Sequence, residues 1–140
     1  MTQDEWEKEV PDAIRHDPLW TVKSYRLALF LADISWSDCV KLTKNALTRE
    51  CAGQLIRATG KIPGNVSEGY SRGTGRARAL FLEYALGSAR ESRDWYYLAR
   101  RVLSERVATH RLELVAELCR LLLGTIKAER RKRPDSGDEP

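Results

Sequence analysis

Phe81-Leu82-Glu83-Tyr84-Ala85-Leu86-Gly87-Ser88-Ala89-Arg90-Glu91-Ser92-Arg93-Asp94-Trp95-Tyr96 is the stretch whose periodicity decides the fold class. Leu82, Ala85, Ala89, Ser92, Tyr96, Ala99 and Leu103 step by three and four, the spacing of one helix face rather than of a strand. A second stripe, Phe81, Tyr84, Ser88, Glu91, Trp95, Leu98 and Val102, runs beside it. Two adjacent stripes give a wide face, which a helix needs when it packs against two neighbours at once. Ala85, Gly87, Ser88 and Ala89 are small and permit close approach of another helix.

Gly73-Thr74-Gly75 marks a turn before this helix and Thr74 supplies its N-cap, which predicts a helix over 74–105. Upstream, Thr48 starts a helix over 48–71 with Cys51, Leu55, Ala58 and Ile62 on one face. Pro63 and Gly64 fall inside it although Val66, Ser67 and Tyr70 keep the phase. A proline costs about 3 kcal/mol in a helix interior, so this helix either kinks or ends and restarts with Asn65 as a local cap. Asp17-Pro18 signals the start of a helix over 18–45, with Asp as N-cap and Pro at the first position. Downstream, Thr109 caps a helix over 109–131 built on Leu112, Val115, Cys119, Leu122 and Ile126, ending in Arg130-Arg131-Lys132-Arg133. These cations suit the negative end of a helix dipole. Four long amphipathic helices with short turns and no strand signal predict an all-α, antiparallel up-down-up-down four-helix bundle over 18–133. Residues 1–17 form a polar arm, with one helical turn around Trp6, and 134–140 a disordered acidic tail.

Charge is distributed unevenly. Residues 1–18 carry a net −4 and 134–140 a net −3, which leaves +11 on 19–133 within a total of +4. This asymmetry points to an anionic partner, or else to a solvated surface whose ends offset its middle. No apolar run is long enough to span a bilayer, and the acidic start fits neither a signal nor a transit peptide, so the expected compartment is the cytoplasm, with no membrane contact. Cys39, Cys51 and Cys119 are odd in number and lack C-x-x-C spacing, which reads as reduced thiols of ordinary helix positions.

Catalytic chemistry finds no support. His16 and His110 are the two histidines, no E-x-x-H pair is present, and no Cys/His spacing suits zinc. The reading is of a non-enzyme with no catalytic residues, no metal and no cofactor.

Arginine outnumbers lysine 17 to 7, and guanidinium contacts phosphate bidentately and stacks on bases where an ammonium cannot. Arg72, Arg76 and Arg78 surround the turn into the third long helix, where cations oppose the dipole at a cost of about 0.3–1 kcal/mol each. A sequence chosen for stability alone would place acids there. Arg57, Arg72, Arg76, Arg78, Arg130, Arg131, Lys132 and Arg133 are therefore the candidate nucleic-acid contacts. Arg90, Arg93, Arg100, Arg101 and Arg106 are a further basic group, read first as a solvated face with local pairs such as Arg90–Asp94 at i,i+4. Trp95 and Tyr96 read as core or interface, and Tyr97 as facing outward.

Gln54-Leu55-Ile56-Arg57-Ala58 followed by Ile62-Pro63-Gly64-Asn65-Val66-Ser67-Glu68-Gly69-Tyr70-Ser71-Arg72 resembles the signature of a four-helix-bundle family encoded by intervening sequences in bacterial 23S ribosomal RNA. That signature reads Q-I-R-R-A, then I-P-x-N-I-A-E-G-Y-x-R. Phe81-Leu82, Ala85-Leu86-Gly87-Ser88 and Glu91 look like its F-L-x-x-A-L-G-S-x-x-E. The likeness spans roughly 19–130. It implies a closed bundle in a ring-like homo-oligomer, often a pentamer. It also implies kinship with retroelement accessory proteins, basic pentamers that bind a reverse transcriptase and nucleic acid, and it implies no enzyme. Two departures stand out: one arginine of Q-I-R-R is replaced by Ile56, and Ser67 stands for alanine. Pro63, Asn65, Glu68, Gly69 and Tyr70 are the motif residues. They serve either to repair a kink and allow close packing or to form a polar site at the bundle's end.

Two functions follow: an oligomer that binds RNA or DNA through its arginines, or a protein-interaction scaffold whose charge serves docking.

Overall fold

The computed structural model describes residues 1–132; Arg133 and the acidic tail lie outside the described residues. Among the described residues there are six α-helices, one 3₁₀ turn and no strand. Two short helices come first, α1 (Gln3–Glu9) and α2 (Asp12–Arg15), then the 3₁₀ turn (Pro18–Thr21). Four long helices follow: α3 (Lys23–Thr43), α4 (Arg49–Tyr70), α5 (Gly75–Leu98) and α6 (Glu105–Arg130). Each long helix packs on the next, and α6 returns to pack on α3. No described helix is long and apolar enough to cross a membrane.

The apolar stripes meet as their spacing requires. Phe30, Leu31 and Leu42 of α3, Leu55, Ile62 and Val66 of α4, and Val115, Leu118 and Leu122 of α6 are essentially inaccessible to solvent. Each such side chain stabilises the fold by about 1.5–3 kcal/mol relative to an exposed position. Ala79, Ala85, Ala89 and Tyr96 of α5 are equally buried, the alanines letting neighbouring helices approach. Ser35 and Thr59 lie in the α3–α4 seam with their hydroxyls 3.0 Å apart, so that Thr59 accepts from Ser35 when it gives its own proton to the Leu55 carbonyl.

Several boundaries differ from the periodicity reading. Asp17 caps the 3₁₀ turn by accepting from the Leu19 N–H at 2.8 Å, and the long helix begins only at Lys23. The break turns Trp20 back toward Trp6, ring centroids 6.1 Å apart. α5 stops at Leu98 rather than near 105, and Arg100 Nη1 donates to the Tyr97 carbonyl there at 2.9 Å, a capping contact at the helix end. α6 starts early because Ser104, not Thr109, accepts from an N–H of its first turn, that of Val107. Thr48, by contrast, stands at the N-cap position of α4 where its reading as the start of a helix puts it, although its side chain makes no capping bond and its hydroxyl instead donates to the Leu42 carbonyl, tying the turn to the end of α3.

The arm is folded onto the body. A Thr2–Glu5 capping box starts α1, and Trp6 inserts between Trp20 and Phe30 and donates from Nε1 to Asp33 Oδ2 at 2.7 Å. Trp6 and Val10 are buried and join the same hydrophobic core.

Candidate nucleic-acid interface

The α4–α5 turn and the last turn of α6 lie side by side, which brings together cations from two separate stretches of sequence. Arg78 on α5 donates from Nε to Glu129 Oε2 at 3.0 Å and from Nη1 to the Arg72 carbonyl at 3.1 Å. Lys132 meets the same Glu129 carboxylate at 2.8 Å, and Arg130 pairs with Glu83. Arg72 pairs with Glu68 at 2.8 Å, and its guanidinium lies 4.5 Å from the Phe81 ring centroid. Arg76 and Arg131 are exposed and make no ion pair among the described residues.

The cluster therefore divides by role. Arg78 and Glu129 are mostly shielded from solvent, at 22% and 13% exposure, and hold α5 to α6. The Arg72–Glu68 pair is about half exposed on both sides and is worth at most about 1 kcal/mol, so either partner exchanges readily for another ion. Among the described residues, six cations (Arg72, Arg76, Arg78, Arg130, Arg131 and Lys132) face three carboxylates (Glu68, Glu83 and Glu129). Among the described residues this end therefore carries more cations than carboxylates, and Arg76 and Arg131 are the exposed arginines of the cluster that engage no acid.

Arg57 stands apart. It sits mid-helix on α4, about 22 Å from Arg72 along the axis, with its guanidinium reaching back over Gly53. The structure does not bring it to the cluster. Arg133 falls outside the described residues.

The family-like motif on α4 has a packing explanation in part. Pro63 is buried inside a continuous helix, so the chain neither ends nor restarts there. Asn65 does not cap; its Nδ2 donates to the Lys61 carbonyl at 2.9 Å, two residues beyond the Thr59 carbonyl that the missing Pro63 N–H deprives of its usual donor. A Cβ on Gly69 would lie 3.2 Å from the Arg78 carbonyl and 3.3 Å from Phe81 Cβ, so glycine is what lets α4 meet α5. Gly60 and Gly64, by contrast, face open space. Tyr70 remains 45% exposed.

A buried polar network has no counterpart in the sequence reading. Asp38 on α3 accepts from the Tyr96 hydroxyl at 2.7 Å, from Arg111 Nε at 2.8 Å and from Arg111 Nη2 at 3.2 Å, joining α3, α5 and α6. Burial, reinforced by the Asp38 charge, pushes the Tyr96 hydroxyl far above the ordinary tyrosine range. Burial likewise raises the neighbouring Cys39 thiol to about 11, which keeps it an unreactive thiol at neutral pH. No Cys–His pairing or E-x-x-H pattern signals such a site; its one mark is a lone Asp in an apolar helix face. The second basic group also pairs differently from expectation: Asp94 bonds Arg93 at 3.1 Å rather than Arg90, and Arg100 lies over the Tyr97 ring at 4.0 Å. Among the described residues no group of three or more His, Cys, Asp or Glu is placed to hold a metal ion.

The model of one protein family, 23S rRNA-intervening sequence protein, matches residues 22–124. The match covers most of the chain, α3 through most of α6, and the chain belongs to that family. No curated protein and no solved structure matches the chain at a significant level.

Proposed function

We propose that this 23S rRNA-intervening sequence family member is a non-enzymatic, self-assembling antiparallel four-helix bundle that binds RNA through the positive end formed by the α4–α5 turn and the end of α6. The up-down-up-down arrangement is supported by the short connections, 44–48, 71–74 and 99–104, which leave each helix little choice but to run back along its predecessor. One observation carries the binding reading: Arg76 and Arg131, more than fifty residues apart in sequence, share an end of the molecule with paired cations around them and, among the described residues, no acid of their own. Arg76 stands in the first turn of α5, a helix N-terminus that already favours anions, so an arginine there matches phosphate recognition rather than stability, and Arg131 at the end of α6 adds a second guanidinium beside it.

The test is filter binding of a single-stranded RNA at low salt. Arg76→Glu/Arg131→Glu is expected to weaken binding at least tenfold, while Lys41→Glu, at the far end of α3, leaves it unchanged. Equal loss in both variants would reduce the effect to net charge and refute the site.

A scaffold reading has its own support in Gly60 and Gly64. Each costs about 1 kcal/mol relative to alanine in a helix, and no contact among the described residues explains either. A second copy pressing on this face of α4 would explain both, so self-assembly is part of the proposal. Light scattering of Gly60→Leu/Gly64→Leu against the parent chain tests it: the variant should dissociate to monomer.

A further inference from the structure

We propose a second nucleic-acid site at the opposite end of α5, one that takes an unpaired base. It lies about 32 Å along the helix from Arg76, so it stands independently of the α4–α5 site. Arg90, Arg93 and Tyr97 recur at three- and four-residue steps and share one face of α5, with Arg100 and Arg101 in the turn that follows. The Arg100 guanidinium lies 4.0 Å from the Tyr97 ring centroid, yet Tyr97 keeps 51% of its surface open. Beside the ring is a shallow depression lined by Arg93, Asp94, Tyr97, Leu98 and Leu112, of which Leu98 is 58% exposed. Among the described residues Arg90, Arg101 and Arg106 are exposed and make no ion pair.

These features specify the ligand. An arginine stacked on one side of an exposed tyrosine polarises the ring and holds it still, ready to take a second planar group. Leu98 and Leu112 give the depression an apolar floor, suited to a base rather than to a phosphate alone. The rim supplies cations at Arg90 and Arg93 on the helix and at Arg101 in the turn beyond it, and the carboxylate lining the depression, Asp94, is already engaged by Arg93. Cations that track a backbone beside an aromatic that stacks a base are the working parts of a single-strand site. A duplex keeps its base faces stacked internally and offers nothing for Tyr97 to contact.

The experiment measures binding of a labelled single-stranded RNA of about 16 nucleotides, and of the fully paired duplex, to the full chain by fluorescence anisotropy. Tyr97→Ala should weaken single-strand binding about tenfold and leave duplex binding unchanged, whereas Tyr97→Phe, which keeps the ring, should bind like the parent. Arg90→Ala/Arg101→Ala should reduce the slope of log affinity against log salt by about 0.7 for each phosphate no longer neutralised. The effect of Tyr97→Ala should persist in the Arg76→Glu/Arg131→Glu background. An Arg76/Arg131 variant that binds normally while Tyr97→Ala does not would remove the α4–α5 reading and keep this one. Unchanged single-strand affinity in Tyr97→Ala, or equal losses on single strand and duplex, overturns it, and a chain that binds neither RNA overturns both.

Discussion

Asp38→Ala should be among the most destabilising substitutions in the chain, and its magnitude can be worked from the geometry. Asp38 is 6% exposed and accepts three hydrogen bonds, one from the fully buried Tyr96 hydroxyl and two from Arg111, whose side chain is 15% exposed. Removing the carboxylate leaves a shielded guanidinium without its counterion and a buried hydroxyl without an acceptor. Breaking a buried ion pair from one side costs about 3–5 kcal/mol. Arg111 keeps its bond with His110 Nδ1 and some water, which places the loss near the lower bound, about 3 kcal/mol. For a chain of this length that is a fall in Tm of roughly 10–15 °C. Tyr96→Phe removes one donor and leaves Asp38 with its two Arg111 bonds, so its cost is about 1–2 kcal/mol. Replacing all three groups together with apolar residues of similar volume should recover most of the loss, because the desolvation of the pair disappears with it. Urea unfolding followed by circular dichroism measures all three. A loss below about 1 kcal/mol for Asp38→Ala, or a triple variant no better than the single, would refute the view that this network clamps α3, α5 and α6 together.

Further outcomes follow from other contacts. Tyr96 holds its proton more tightly folded than unfolded, so its contribution is complete below the ordinary tyrosine range and falls as pH rises above about 10; urea titrations at alkaline pH should show Tyr96→Phe losing stability less steeply than the parent. Gly69→Ala should destabilise the chain, since its Cβ would press on the Arg78 backbone at 3.2 Å, while Gly64→Ala, with open space before it, should stabilise the isolated chain by up to about 1 kcal/mol in the same thermal melts. Trp6→Ala removes a buried ring and its bond to Asp33, and should cost about 3 kcal/mol or release α1, seen as a drop in hydrogen-exchange protection over residues 3–15.

Much of the architecture is legible in the sequence because it rests on periodicity, which a single helix carries whole. The α5 stripe from Leu82 to Tyr96 is buried as its spacing implies, and Thr74 caps the helix as expected, its side chain accepting from the Ala77 N–H. Helix ends are less legible, since Ser104 and Thr109 are both residue types that cap helices and lie within five residues of each other, and the helix starts at the earlier one. The docking of the arm is hidden for a similar reason: one tryptophan in a polar segment has no period, yet Trp6 finds a niche made by Phe30 and Trp20. Pairing is the least legible of all. Arg78 and Arg76 look alike in sequence, but Glu129, 51 residues away, turns the first into a structural contact and leaves the second open.

The salt dependence of RNA binding tests the central claim most directly. Affinity measured across a salt series, for the parent chain and for Arg76→Glu/Arg131→Glu, should fall linearly on a logarithmic plot, with the variant's slope shallower by about 1.4, the value for two single-strand phosphates. Identical slopes for the two chains, or binding insensitive to salt, would contradict it.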